Sequence, residues 1–464
     1  MLRFFRFNDP YQLVIVLLVT VLLGLKAEWE FPSITIPELK GILVGEMMAD
    51  GKQLYSEVWD SMPPLTAFVQ YVLDLAFDRS TLPRHILSWG FIFFQAAFFG
   101  VLLINNKAFN ESGYLPSFLF TLLCFFSFDT VSLTREIIGS SLLLLAINDL
   151  LKEIEFKKQR DETIHNLGFY LGLASISSFS YILFFFGTAL ILFFFTRVEI
   201  RRFSLFVFGF LLPHLLLNTW YFVNHNSDML WANFYLPNME FNNQSLVSLK
   251  SLLILGLIPI VFFALSLIMS REARLTKYQT QILQVMLLWL VVGLIEVYFT
   301  RLRTSQSLIV CVPPLAYFIS HYFLLIKRKT LAEIMLWVLL CGLITVNSLS
   351  VGKSTQVIDF SNLVIGQPKV YPWTDKKLMI LDNSLAPYLS NRTSGYFLEW
   401  SLCSQVFEDP GYYQHILSVA HALEKDPPDV IFDPQDLMQD VFPFLPDAQK
   451  QYRKDHDSYI RIVN

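Results

Sequence analysis

The sequence predicts an all-α polytopic membrane protein of about eleven transmembrane helices, with a small C-terminal α/β domain outside the membrane. Three observations predict it. Of 464 residues, 54% are hydrophobic and only 16% charged, against roughly 25% charged in soluble domains. Apolar runs of about 20 residues, enough to cross ~30 Å of hydrocarbon, recur up to residue 349. Basic residues collect in alternate connections between those runs. With Phe alone present 44 times, a soluble fold would lack the polar surface to cover itself. Collagenous, disordered, coiled-coil and disulfide-rich classes are excluded on the same composition.

The runs justify the count in order. Residues 11–27 follow Arg3 and Arg6 and have no small-x-small cleavage site, so they read as an uncleaved first span rather than a signal peptide. Clear spans follow at 86–104 and 115–133, and a weaker one at 134–151, with Asn148 and Asp149 near its end. Residues 167–195 are too long for one helix crossing. Their central Ser177-Ser178-Phe179-Ser180 suggests a tight helical hairpin. Runs at 203–223, 251–269, 281–299, 307–325 and 331–349 complete the set.

Residues 65–77 are apolar but short, and they contain Asp74. Charge decides their case, because basic residues of short loops stay on the cytoplasmic side. If 65–77 does not span, sixteen basic residues lie inside, from Arg3 and Arg6 through Lys107, Lys157, Lys158, Arg197 and Arg271 to Lys327-Arg328-Lys329. If it does span, fourteen of the sixteen move outside. The expected topology therefore has the N-terminus inside and the C-terminus outside. A transmembrane domain covers 1–349, with a long first external loop at 26–85, and an external domain covers 350–464.

The first loop holds nine acids and five bases. Two stretches in it, 37–48, which starts with Pro37, and 65–77, which follows Pro63-Pro64, have prolines placed to favour a helix start and read as helices lying on the membrane. In the external domain, 378–381, 430–432 and 459–463 read as strands and 415–423 as an amphipathic helix. No glycine-rich phosphate loop supports a nucleotide site, and no basic tract suggests nucleic acid. The cysteines, Cys124, Cys311, Cys341 and Cys403, form neither a disulfide framework nor a zinc pattern.

Residues 36–65 carry the sharpest signal. They read Ile36-Pro37-Glu38, then Gly51, then Tyr55-Ser56-Glu57-Val58-Trp59-Asp60-Ser61-Met62-Pro63-Pro64-Leu65. This resembles the first external loop of GT-C superfamily membrane glycosyltransferases, in the protein mannosyltransferase and aminoarabinose transferase branch. There an Asp-Glu pair opens a juxtamembrane helix, followed by Gly and by Tyr-x-Asp-x-Trp-Asp-x-x-Pro-Pro-Leu. The resemblance implies transfer of a sugar from a polyprenyl-phosphate carrier to a protein, lipid or glycan acceptor on the outer face of the membrane. It implies an acid that deprotonates the acceptor and basic residues that hold the carrier phosphate. It also implies an integral protein of the bacterial inner membrane with a periplasmic C-terminus. No cofactor is certain, and a divalent metal remains open.

On this basis the catalytic candidates are Glu38 and Asp60, then Glu57. Arg301 and Arg303, at the outer end of 281–299, Arg135, beside Glu136, and Tyr55 of the motif string are the substrate and phosphate candidates. Lys250 is a further base at a span edge. His214, Asn218 and Glu296 are polar groups inside or near spans, where such groups default to functional hypotheses. Three departures from the family pattern stand out. Pro37 replaces the first acid of the pair, Met62 replaces a basic residue before Pro-Pro, and Ser177–Ser180 lies where relatives carry Lys or Arg. Each removes a catalytic or phosphate-binding group. The alternative reading is therefore a non-catalytic GT-C-fold subunit or scaffold of a cell-envelope assembly. A transporter is disfavoured, since no inverted repeat with paired Gly/Pro breaks is visible.

Overall fold

The structure is a computed structural model that describes residues 2–5, 7–30, 33–155, 160–196, 198–240, 244–351, 358–366 and 371–462. Arg6, Lys157, Lys158, Arg197 and Val463, used in the sequence argument, lie outside these residues. The chain divides into two compact units.

The first unit comprises residues 1–32, 81–217 and 241–363. Among the described residues, eight helices of the chain are long and apolar enough to cross a membrane: Gln12–Glu30, Thr81–Asn105, Phe179–Thr196, Ile200–Val223, Leu249–Ser270, Lys277–Phe299, Ser305–Leu325 and Lys329–Leu349. The chain is an integral multi-pass membrane protein.

The other expected spans take different forms. Residues 115–133 hold a ten-residue helix, Leu115–Cys124, and a 3-10 turn, Phe128–Val131. Every residue from 114 to 134 is buried. Non-helical backbone at membrane depth is tolerated only under protein cover, and Ser305 and Gln306 supply it by bonding to Asp129. Hydropathy sees only the apolar side chains and cannot register this break. Residues 134–151 lie in the helix Arg135–Ile154, and 167–195 fall in two helices, Asp161–Ser177 and Ile182–Thr196. The break between them falls at the serine cluster, where Ser178 is extended.

Helices Asp161–Ser177 and Ile200–Val223 pack backbone to backbone. A Cβ at Gly168 would stand 2.1 Å from the Phe206 carbonyl oxygen, and one at Gly209 would stand 2.3 Å from that of His165. Small residues spaced four apart, here Gly168 and Gly172, give this close approach in membrane helices.

The second unit gathers residues 33–80, 218–240 and 364–464. The first loop thus clusters with the C-terminal residues, not with the rest of 1–349. Its helices Ile36–Ala49 and Pro64–Phe77 each carry proline in the first turn and pack together. Gly45 allows the contact, since a Cβ there would lie 2.7 Å from the Gln70 carbonyl. Pro64–Phe77 has 14 residues and is not among the helices long enough to cross.

The C-terminal residues form a five-stranded sheet in the order Arg392–Thr393, Lys377–Ile380, Val430–Phe432, Ser458–Arg461, Tyr452–Asp455. The first three strands are parallel and the last two antiparallel. Helices Trp400–Glu408 and Tyr413–Lys425 cover a core built on Met379, Phe407, Val419 and Ile431.

Candidate functional site

The motif loop belongs to the second unit, and its backbone explains its sequence. Gly51 and Tyr55 both adopt positive φ, 88° and 69°. For a bulky residue such as Tyr this conformation is strained and needs surrounding support. The Tyr55 ring is fully buried beside Tyr221 and Phe234. Residues 218–240 hold the loop further. Asn233 Nδ2 donates to the Tyr55 carbonyl at 2.7 Å, Tyr221 to Leu54 at 3.1 Å and Asn238 to Ser61 at 3.0 Å. The Tyr55 hydroxyl itself donates to the Met62 carbonyl, so its polar end is engaged within the loop.

Trp59 then aligns the loop with the C-terminal residues. Its N–H donates to the Tyr396 carbonyl at 2.8 Å, and its carbonyl accepts from the Glu399 N–H at 3.1 Å. This pairing brings Asp60 and Ser61 to Glu399. The Ser61 N–H and hydroxyl donate to Glu399 Oε2 at 2.9 and 2.6 Å. Lys40, from helix Ile36–Ala49, completes the cluster. Its Nζ lies 3.1 Å from Asp60 Oδ2 and 2.8 Å from Glu399 Oε2. Asp60 Oδ1 accepts the Met62 N–H at 2.7 Å.

Asp60 is completely buried. Burial pushes its carboxyl up to about 6, with Glu399 pushing the same way and Lys40 holding it down. Burial opposes the charge on Lys40, yet the carboxylates of Asp60 and Glu399 outweigh it and raise the ammonium above its ordinary value.

The other loop candidates lie close by in sequence but differ in setting. Glu38 is buried in the first turn of Ile36–Ala49, where the helix dipole favours a carboxylate. Glu57 caps the loop from within, accepting from Gln53 N–H at 2.9 Å and pairing with Lys425. Lys52 bridges to Asp426 at 2.5 Å and to the Gly395 carbonyl at 2.9 Å. The sequence reading missed Lys40 and Glu399. Lys40 left one signal, the single base of a largely apolar helix, which must find an acid if buried. Glu399 left none.

The phosphate candidates belong to the first unit. Arg135 is bound to Glu136 at 2.9 Å and to the Leu302 carbonyl at 2.9 Å. Lys250 is exposed at the start of Leu249–Ser270. Arg301 is buried and has partners of its own.

Arg303 differs from all of these. Its backbone pairs with Ser245, and its carbonyl accepts from Leu246 and Val247. Its side chain is only 6% exposed, and its Nε and Nη1 have no hydrogen-bond partner among the described residues. A buried, unpaired guanidinium is costly and calls for an anion.

Tyr298, within electrostatic range of Arg303, lines an almost wholly apolar cavity of about 370 Å³. Helices Leu249–Ser270, Lys277–Phe299 and Val312–Leu325 form its walls, through residues such as Gly256, Leu294 and Val312. His214 and Glu296 each bond a serine within the unit, Ser175 and Ser180. In the second unit, Asn218 donates to Tyr235 at 2.9 Å.

No family model matches the chain, and no curated protein matches it. Among solved structures it is similar to ArnT from Cupriavidus metallidurans bound to undecaprenyl phosphate, at 11% identity over 71% of this chain and 63% of that one, with a TM-score of 0.48. It is similar also to the apo oligosaccharyltransferase of Archaeoglobus fulgidus, at 10% identity over 96% and 73% and a TM-score of 0.49. A third is AglB from the same organism with an inhibitory peptide and a dolichol-phosphate, at 11% over 95% and 72% and a TM-score of 0.47. The chain spans 63% of the length of the first.

Proposed function

We propose that the chain is a membrane glycosyltransferase-like protein that takes a sugar from a polyprenyl-phosphate carrier and passes it to a protein, lipid or glycan acceptor on the outer face of the membrane. The observation that carries this reading is Arg303. Its buried Nε and Nη1 lack a hydrogen-bond partner among the described residues, and the side chain lies within range of the residue Tyr298 of an apolar cavity. A phosphate-headed isoprenoid matches both properties, with its phosphate on Arg303 and part of its tail in the cavity. In the second unit, Asp60 is the proposed base. Above about pH 6 it is ionised and can accept the proton of an acceptor hydroxyl or amine. That proton leaves as the new bond to the sugar forms and the sugar–phosphate bond breaks, which releases the carrier phosphate. The proposed topology has eleven helices, an internal N-terminus, and residues 26–85 and 350–464 on the outer, periplasmic side.

The test is binding of a short-chain polyprenyl phosphate to purified protein in detergent. Charge-assisted bonds contribute roughly 1.5–3 kcal/mol each, so loss of two in Arg303→Ala should weaken binding at least about a hundredfold. Arg303→Lys should recover only part of this, having charge without the fork. No binding by the unaltered protein would remove the reading.

A second reading has its own support. Asp60, Glu57 and Arg135 are each already ion-paired within the chain, and Pro37 and Met62 stand where the family carries reactive groups. This favours a carrier-binding subunit or scaffold without transfer activity. Carrier binding without transfer of a labelled sugar, under conditions where a known transferase works, would select it.

A further inference from the structure

The donor set around the loop acids does not fit a divalent metal. Among the described residues, no group of three or more His, Cys, Asp and Glu side chains converges. Two carboxylates do converge, Asp60 of the motif loop and Glu399 of the C-terminal residues, and an ammonium lies between them. Three of the four oxygens are further committed, and Asp60 Oδ2 faces the Lys40 ammonium without a hydrogen bond among the described residues. Asp60 Oδ1 accepts from Met62, Glu399 Oε2 from Ser61 twice, and Glu399 Oε1 from Ser401. A Mg²⁺ or Mn²⁺ ion needs near-octahedral oxygen ligation at about 2.0–2.2 Å. Here it would share buried carboxylates with a like charge, whose repulsion is little screened away from water.

We infer that Lys40 is the built-in cation of this cluster: its ammonium takes the place between Asp60 and Glu399 that a metal ion would otherwise fill, and it orients Asp60 without one. Lys40 is thus a positioning residue. The inference rests on the reading of Asp60 as the base, but its consequences are read without any transfer reaction.

The geometry explains why a lysine suits the place. A compact ammonium offers three donors from a flexible stem; one donates to Glu399 Oε2 at 2.8 Å, and the charge lies 3.1 Å from Asp60 Oδ2. The stem starts on helix Ile36–Ala49, while the carboxylates come from the motif loop and from residue 399. One cation therefore ties three separate segments of the second unit. A metal would do the same by coordination.

The experiment measures Mn²⁺ binding to the purified full chain by electron paramagnetic resonance. The unaltered protein should bind no Mn²⁺ that Asp60→Asn removes. Lys40→Ser, which leaves both carboxylates and empties the space between them, should bind Mn²⁺. The double variant Lys40→Ser with Asp60→Asn should lose it. Mn²⁺ held by the unaltered protein in an Asp60-dependent way overturns the inference. So does a folded Lys40→Ser that binds none. If Lys40→Ser does not accumulate, it is expressed and purified with Mn²⁺ beside Lys40→Arg. Restoration by Mn²⁺ supports the inference. Accumulation of Lys40→Arg alone, with no rescue by Mn²⁺, overturns it. Failure of carrier binding or transfer would instead strike the functional reading and leave these outcomes unchanged.

Discussion

Tyr55 and Asp60 are linked through one residue: the Tyr55 hydroxyl donates to the Met62 carbonyl at 2.7 Å, and the Met62 N–H donates to Asp60 Oδ1 at 2.7 Å. The two bonds fix both ends of the Met62 backbone and hold the Asp60 carboxylate at a defined angle. This is why a bulky residue at φ 69° is tolerated at position 55. Its ring fills the space beside Tyr221 and Phe234, and its hydroxyl anchors the turn that carries the acid.

Tyr55→Phe tests that role against the substrate-binding one expected from the motif. Loss of the hydroxyl leaves the Met62 carbonyl without this donor, which should cost about 1 kcal/mol of stability. Thermal unfolding in detergent would register it, while carrier affinity stays unchanged. Lost affinity at unchanged stability would instead put Tyr55 on the carrier.

The acidity of Asp60 predicts a pH dependence of stability. Its folded value of about 6 lies above the ordinary 3.8. Between these values the folded chain holds a proton that the unfolded chain has released. Stability from this group is therefore present at the acid end and falls as pH rises from about 4 to about 6. Lys40 and Glu399 face the group throughout. The melting temperature of the unaltered protein should fall relative to Asp60→Asn across that window. A constant difference would contradict the burial argument.

Gly168→Ala should be strongly destabilising. The new methyl would stand 2.1 Å from the Phe206 carbonyl, a backbone atom that moves only with its helix. Overpacking of this kind costs about 1–3 kcal/mol. Gly90→Ala is the control. It lies in the membrane helix Thr81–Asn105, and its Cβ would meet nothing within 4 Å. There alanine should be neutral or stabilising by up to about 1 kcal/mol. Thermal stability of the two variants decides; equal effects would mean that the glycine contact is dispensable.

Gly256→Leu probes the cavity. A Cβ at Gly256 meets only Ile260 Cδ1, at 3.4 Å, so the larger side chain should enter without strain on the backbone and occupy part of the space. Affinity for long-tailed polyprenyl phosphates should fall towards that of short-tailed ones, with no loss of thermal stability in the absence of lipid. Unchanged dependence on tail length would place the tail elsewhere.

The sequence by itself determined that this chain spans a membrane many times, because hydrocarbon offers no hydrogen bonds and long apolar stretches must close theirs in helices. It also located helix starts at Pro37 and Pro64, the break at Ser177–Ser180 and the strand Val430–Phe432, all of which depend on neighbours in sequence. Hydropathy did not show the break within 115–133, where polar Ser305 and Gln306 from a distant segment cover a broken helix. Only the tertiary structure decided which charges meet. Lys40 and Glu399 stand 359 residues apart in sequence, and Asp60 reaches them because Trp59 pairs with Tyr396 and Glu399. The energy of a buried ion pair depends on separation and surrounding dielectric, and neither leaves a periodic trace in the order of the residues.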